Sequence, residues 1–111
     1  MNDHIRRSEP VAQALIMYVV RTTYVKPMSE VEAHTAAHRD WLGQHVETGL
    51  VILAGPLVPR TGGVMLFKGG RSLDELKALL ATDPFVIEGL AELDIVEVNP
   101  VKMNPVLTDL V

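Results

Sequence analysis

The sequence contains no cysteine, which excludes disulfides, thiolate nucleophiles and thiolate metal sites. The net charge is -4 and the lysines and arginines do not cluster, so we expect no nucleic-acid partner. No apolar run approaches the roughly 20 residues of a membrane span, and the first ten residues lack the apolar core of a signal peptide. These absences predict a cytoplasmic protein without a membrane partner.

The composition is that of a globular protein, with 48% apolar and 22% charged residues in a chain of 111. A chain of this length forms one domain, because it has no room for two independent cores. The polar stretch before strand one predicts a flexible N-terminal extension over residues 1–13, followed by the domain over residues 14–111.

Hydrophobic periodicity and turn signals predict four strands and two helices. In chain order we expect a strand over 14–24, a helix over 29–48 with Ser29 as N-cap, strands over 50–54 and 63–69, a helix from 73 to about 82, and a strand over 90–98. The second helix begins with a capping box of Ser72 and Glu75, and Gly49 follows the first helix. The order β-α-β-β-α-β predicts an α+β, ferredoxin-like fold: a four-stranded antiparallel sheet with two helices on one face.

The first strand is apolar at both odd and even positions, so both faces of the sheet need a cover. The predicted helices cover only one face. A second copy of the chain is the simplest cover for the other, which predicts a homodimer.

The first helix carries a titratable group on its covered face. Val31, His38, Trp41, Leu42 and His45 are separated by three, four or seven residues from His38 and therefore share one side of the helix. This side meets the sheet if the helix buries anything. We therefore expect the His38 imidazole between helix and sheet.

Three short motifs resemble those of the YciI-like family (YCII-related domain) within the dimeric α+β barrel superfamily. They are His38, eleven residues before Gly49; the strand-ending sequence Ala54-Gly55-Pro56; and Asp83-Pro84-Phe85 after the second helix. The motifs follow one another in the order and spacing of the family, and the resemblance extends over about residues 15–100.

The resemblance implies a homodimer with a pocket between helices and sheet, and a histidine–aspartate dyad at His38 and Asp83. Relatives in the superfamily include muconolactone isomerase and a dehydrochlorinase that acts on a chlorinated hydroxyquinol. One position departs from the family: Thr35 replaces an arginine often found three residues before the histidine. Arg39 is also near, but it falls on a different side of the helix.

Proton transfer is the chemistry that these residues favour. Histidine gives and takes protons near neutral pH, and an aspartate can fix its tautomer and stabilise the imidazolium. Without a placed serine or cysteine nucleophile, the predicted reaction is an isomerisation or elimination on a small cyclic or aromatic organic acid. The alternative is a non-catalytic module that binds a small molecule or serves assembly, with His38 and Asp83 as a structural pair.

The expected substrate contacts come from the motifs and from nearby aromatic and histidine side chains. They are Tyr24, His34, Trp41, Gly55, Pro56 and Phe85. His34 and His38 have the i, i+4 spacing of two metal ligands, but Thr35 stands where a metalloprotease motif needs glutamate. We therefore expect no metal and no other cofactor.

Overall fold

The computed structural model describes residues 16–110. The strands are β1 (Met17–Tyr24), β2 (Val51–Pro56), β3 (Gly62–Phe67) and β4 (Ala91–Val98). The helices are α1 (Met28–Ala33), α2 (Thr35–Glu47), α3 (Leu73–Leu80) and α4 (Pro84–Ile87), and a 3-10 helix over Pro105–Leu110 follows β4. The extension predicted over residues 1–13 lies outside the described residues.

The four strands form one antiparallel sheet in the order β2-β3-β1-β4. This arrangement confirms the predicted α+β ferredoxin-like architecture. The main core lies between one face of the sheet and the helices, where Tyr18 and Val20 of β1 pack with Trp41, Leu76 and Leu80. No helix in the described part of the chain is both long and apolar enough to cross a membrane.

The prediction of one continuous helix over 29–48 is wrong. The chain breaks at His34, whose backbone angles of φ -114° and ψ 5° separate α1 from α2. Ser29 is also not the N-cap: α1 begins at Met28 behind Pro27, without a capping side-chain hydrogen bond. The two helices pack in different clusters: Val31 of α1 is fully buried in a second cluster with Phe85 and Leu90.

Local signals correctly predicted the start of α3 and the residue that follows α2, whereas β2 extends to Pro56 and β3 ends at Phe67, where the predicted strands covered 50–54 and 63–69. The side chain of Ser72 accepts a hydrogen bond from the Glu75 main chain, and Glu75 accepts one from the Ser72 main chain, which completes the capping box. Gly49 has φ 85° after α2, a conformation in which side chains with a Cβ are strained.

The strands β1 and β3 approach so closely at Gly62 that no side chain fits there. A Cβ on Gly62 would lie 1.8 Å from the main-chain oxygen of Thr22. The next residue, Gly63, donates its main-chain N–H to Thr22 Oγ1 at 2.8 Å. This contact holds the β3 end of the sheet against β1, beside the cavity described below.

Candidate active site

His38 and Asp83 meet where α2 packs against the start of α4. The Nδ1 atom of His38 lies 2.7 Å from Oδ1 of Asp83. Asp83 is completely buried, whereas the His38 side chain is 13% exposed. Asp83 adopts extended backbone angles because the residue before a proline is biased away from helical ones, and this places its carboxylate at the N-terminus of α4.

The carboxylate determines which imidazole nitrogen remains available. A carboxylate accepts hydrogen bonds, so Nδ1 of His38 donates to Asp83 and carries a proton. Within residues 16–110, Nε2 forms no hydrogen bond with the protein. In the neutral ring, Nε2 is therefore the acceptor, which is the state that a general base requires.

Asp83 also caps α4. The main-chain N–H of Phe85 donates to the same Oδ1 atom at 2.9 Å. The other oxygen, Oδ2, is buried and has no hydrogen-bond partner among residues 16–110. The carboxylate is thus held through one oxygen by two donors, one from the imidazole and one from the main chain.

The ring of Phe85 fixes the plane of the imidazole. The rings of His38 and Phe85 stack with centroids 3.9 Å apart and an angle of 8° between their planes. Phe85 in turn meets Tyr24 edge to face at 5.9 Å and is 2% exposed. A buried aromatic ring on one side and a hydrogen bond on the ring edge restrict the His38 rotamer, as a preorganised proton-transfer group requires.

A cavity of about 290 Å³ lies between the sheet and the helices, beside the imidazole. It is at the small end of the range for ligand pockets. Five of the predicted site residues line it: Tyr24, His38, Gly55, Pro56 and Phe85. The cavity has room for a molecule of one ring and its substituents.

Arg60 is a residue of this cavity that sequence reasoning missed. It follows β2 in the turn before β3, and its Nε and Nη2 atoms donate to Tyr24 Oη at 3.3 Å and Thr35 Oγ1 at 3.1 Å. Arg39 also lines the cavity, although its helical position suggested a different side. The only sequence signal for Arg60 is a single arginine in the turn 59–63.

Two predicted substrate contacts, His34 and Trp41, do not line the cavity. His34 occupies the break between α1 and α2. Trp41 is a core residue with 8% exposure, and its indole N–H donates to Thr82 Oγ1 at 2.8 Å. The structure thus brings neither residue to the cavity, and their predicted contacts with a substrate stay a prediction.

No group of three His, Cys, Asp or Glu side chains able to hold a metal ion occurs among the described residues.

Comparisons with known proteins identify a family and a similar fold. The family model of the YCII-related domain matches residues 17–99. No curated protein matches the sequence. A similar solved structure is 5-chloro-2-hydroxyhydroquinone dehydrochlorinase (TftG) from Burkholderia phenoliruptrix AC1100, in complex with 2,5-dihydroxybenzoquinone. The TM-score is 0.61 with 19% identity over 73% of this chain and 90% of that chain, a likeness that shows a shared fold.

Proposed function

The chain belongs to the YCII-related domain family, and on this basis we propose that it is a small acid–base enzyme. Its reaction is an isomerisation or an elimination, such as dehydrochlorination, of a small cyclic or aromatic organic acid. The observation that carries this proposal is the His38 ring at the cavity wall, with Nδ1 on buried Asp83 and Nε2 free of protein partners within residues 16–110. TftG, a protein of the same fold, is a dehydrochlorinase, which supports the proposal.

The proposed step begins with neutral His38. Its Nε2 takes a proton from a carbon of the substrate, and the Asp83 carboxylate stabilises the imidazolium that forms. In an elimination, the electron pair of the broken C–H bond forms a double bond and a leaving group such as chloride departs. In an isomerisation, the same proton returns to another carbon of the ring system.

Proton exchange tests this step without requiring that the product be identified. Wild-type protein is incubated in D₂O with a panel of unsaturated lactones and chlorinated dihydroxybenzenes that each carry a carboxylate, and deuterium uptake and chloride release are followed by NMR and ion chromatography. We expect His38→Gln to lower the rate by about 10²- to 10⁴-fold. His45→Gln is the matched control, because His45 lies on α2 but contacts Trp41 instead of Asp83. An unchanged rate in His38→Gln contradicts the proposal.

A non-catalytic binding or assembly module is the second candidate. The hydrogen bond from the Phe85 N–H to Asp83 favours this second candidate, because an aspartate that caps a helix has a structural role that does not depend on catalysis. This candidate predicts ligand binding without turnover, and loss of folding stability in Asp83→Ala without any effect on a reaction.

We also propose a homodimer through the face of the sheet opposite the helices. Directly paired residues of neighbouring strands lie on the same face, and Val19 pairs with Leu66 and Val96, while Leu66 pairs with Leu53. Leu53 is 55% exposed and Val96 47% exposed. Each 100 Å² of apolar surface removed from water is worth about 2.5 kcal/mol, so a second copy on this face has a large driving force.

Sedimentation at micromolar concentration tests the dimer. We expect a dimer for wild type and a shift towards monomer for Val96→Glu, because a charge on the open face opposes its burial. Val58→Glu is the control, since Val58 is 97% exposed in the β2–β3 connection. A wild-type monomer, or equal effects of both substitutions, contradicts this interface.

A further inference from the structure

We infer that Arg60 is the anion-binding residue of the cavity and that Thr35 and Tyr24 hold it ready for the ligand. The ligand class is a planar, single-ring molecule that carries a carboxylate. This inference rests on the proposed function and deepens it, because it assigns the recognition of the acid group to a turn residue that no helix motif includes.

The charged side chains that line the cavity have one sign. The ionisable side chains that line it are His38, Arg39, Arg60 and Tyr24, and no carboxylate is among the lining residues. The sequence as a whole has a net charge of -4. The two guanidinium groups at the cavity therefore have the opposite sign to the net charge of the chain. A cleft lined by one sign of charge concentrates ligands of the opposite sign.

Within residues 16–110, the hydrogen-bond partners of the Arg60 guanidinium are neutral groups. Among the described side chains, no carboxylate lies within ion-pair distance of it. Two of its N–H groups donate to the hydroxyls of Tyr24 and Thr35, and its Cζ lies 5.8 Å from the centre of the Tyr24 ring. The remaining three of the five donors, on Nη1 and Nη2, are available for the paired oxygens of a carboxylate.

The half-buried position of Arg60 makes this arrangement informative. A flexible arginine loses side-chain entropy when it is fixed, and neutral hydroxyls leave its charge uncompensated. Thr35 and Tyr24 therefore set the orientation of Arg60, while an anion would supply the missing charge. Holding the guanidinium in place before the ligand arrives lowers the cost of binding.

The position of Arg60 also suits the chemistry proposed for His38. Thr35 and His38 are three residues apart on α2, so their side chains are neighbours on the helix surface, with about 5–6 Å between Cβ atoms. A guanidinium bound to Thr35 is thus about one helical turn from the imidazole. A carboxylate attached to a ring and bound at Arg60 leaves the ring beside His38, and the cavity of about 290 Å³ limits the ligand to that size.

Binding of two matched probes tests this inference independently of turnover. The probes are 2,5-dihydroxybenzoate and its neutral methyl ester, and affinities are measured by NMR titration and calorimetry. We expect the acid to bind about tenfold or more tightly than the ester, because hydrogen bonds to charged groups are the strong ones. Arg60→Gln should abolish this preference and leave the ester affinity unchanged, and Arg60→Lys should restore part of it.

Two further variants separate recognition from general effects. Thr35→Val keeps the shape but removes the acceptor of Arg60 Nη2, so it should weaken acid binding less than Arg60→Gln does. Arg71→Gln, at an exposed arginine outside the cavity lining, should keep the full preference. Circular dichroism and thermal melting confirm that each variant is folded.

The inference is overturned if Arg60→Gln keeps the preference for the acid, or if the acid does not bind wild type at millimolar concentration. Loss of the preference in Arg60→Gln upholds it even when no compound of the proton-exchange panel reacts. In that case the proposed enzymatic function fails and the assignment of Arg60 stands. Turnover that depends on His38 but not on Arg60 upholds the enzymatic function and overturns the assignment of Arg60.

Discussion

The contact between His38 and Asp83 predicts that the two side chains stabilise the protein as one unit. In His38→Ala, the fully buried carboxylate of Asp83 keeps only the Phe85 N–H as a donor. Removal of one partner from a fully buried ion pair costs about 3–5 kcal/mol. Because the His38 side chain is 13% exposed beside a cavity, solvent can partly replace it, and we expect a loss of about 2–3 kcal/mol.

In Asp83→Ala, the histidine loses its acceptor and α4 loses its N-cap. We expect about 1 kcal/mol for the cap and about 1–2 kcal/mol for the unpaired imidazole N–H. The double variant contains no uncompensated buried carboxylate, so its loss should fall short of the sum of the single losses by about 1–3 kcal/mol. Asp83→Asn keeps an acceptor for the Phe85 N–H and therefore separates the charge from the cap.

Urea unfolding measures the four free energies of unfolding in this cycle. All variants are measured at one protein concentration, because self-association would otherwise shift the midpoints of the unfolding curves. Trp41 is the single tryptophan and reports the unfolding of the core. The control cycle pairs Asp83→Ala with His34→Ala, which lies at the helix break and should be additive. Additivity of His38→Ala and Asp83→Ala within about 0.5 kcal/mol would refute the coupling and remove the main support for a catalytic pair.

Three further outcomes are expected. Gly62→Ala should destabilise the protein by about 2 kcal/mol or more, because its Cβ would lie 1.8 Å from a main-chain oxygen of β1. Gly43→Ala in α2 meets open space and should raise the free energy of unfolding by about 0.5–1 kcal/mol. Equal melting temperatures of the two variants would contradict this. The main-chain N–H of Ser72, which donates to Glu75 Oε1, is the main cause of the lowered pKa of Glu75, and the Ser72 side chain adds to it. This carboxylate therefore stabilises the fold above its unfolded pKa, and the contribution is lost as the pH falls through the folded pKa. Ser72→Ala removes only the side-chain contribution and should raise the pKa of Glu75 part of the way in an NMR titration, and a wild-type Glu75 pKa that is not below the ordinary glutamate value would contradict the capping box. Dialysis against EDTA should leave the melting temperature and the proton-exchange rate unchanged. Near-stoichiometric zinc in wild-type protein that is lost in His34→Ala would instead show a metal site.

The fold was predictable because its signals are local. The capping box at Ser72, the glycine at position 49 and the proline at position 84 each act on their own turn of the chain, so the element order and the boundaries at these three positions could be inferred. The break at His34 was not predictable. No glycine or proline marks it, and the residues that pack against α1 on one side of the break, Phe85 and Leu90, are distant in sequence.

The site was predictable only in part. His38 and Asp83 were expected to meet, and the structure places them in contact, while their catalytic role stays a prediction. Trp41 was assigned to substrate because aromatic rings serve both cores and ligands; the hydroxyl of Thr82 satisfies its N–H and makes it a core residue. Arg60 was not predicted because its partner Thr35 lies 25 residues away in the sequence, with all of α2 and β2 between them.

The helix break at His34 lies between two sets of packing contacts. Val31 of α1 packs in the cluster with Phe85, and Trp41 of α2 packs in the main core, so the two helices are fixed by different sets of contacts. His38 lies between these anchors and stacks on Phe85. α2, which begins directly after the break, contributes Thr35 and His38 to the cavity, and the guanidinium of Arg60 and the imidazole of His38 line the same space.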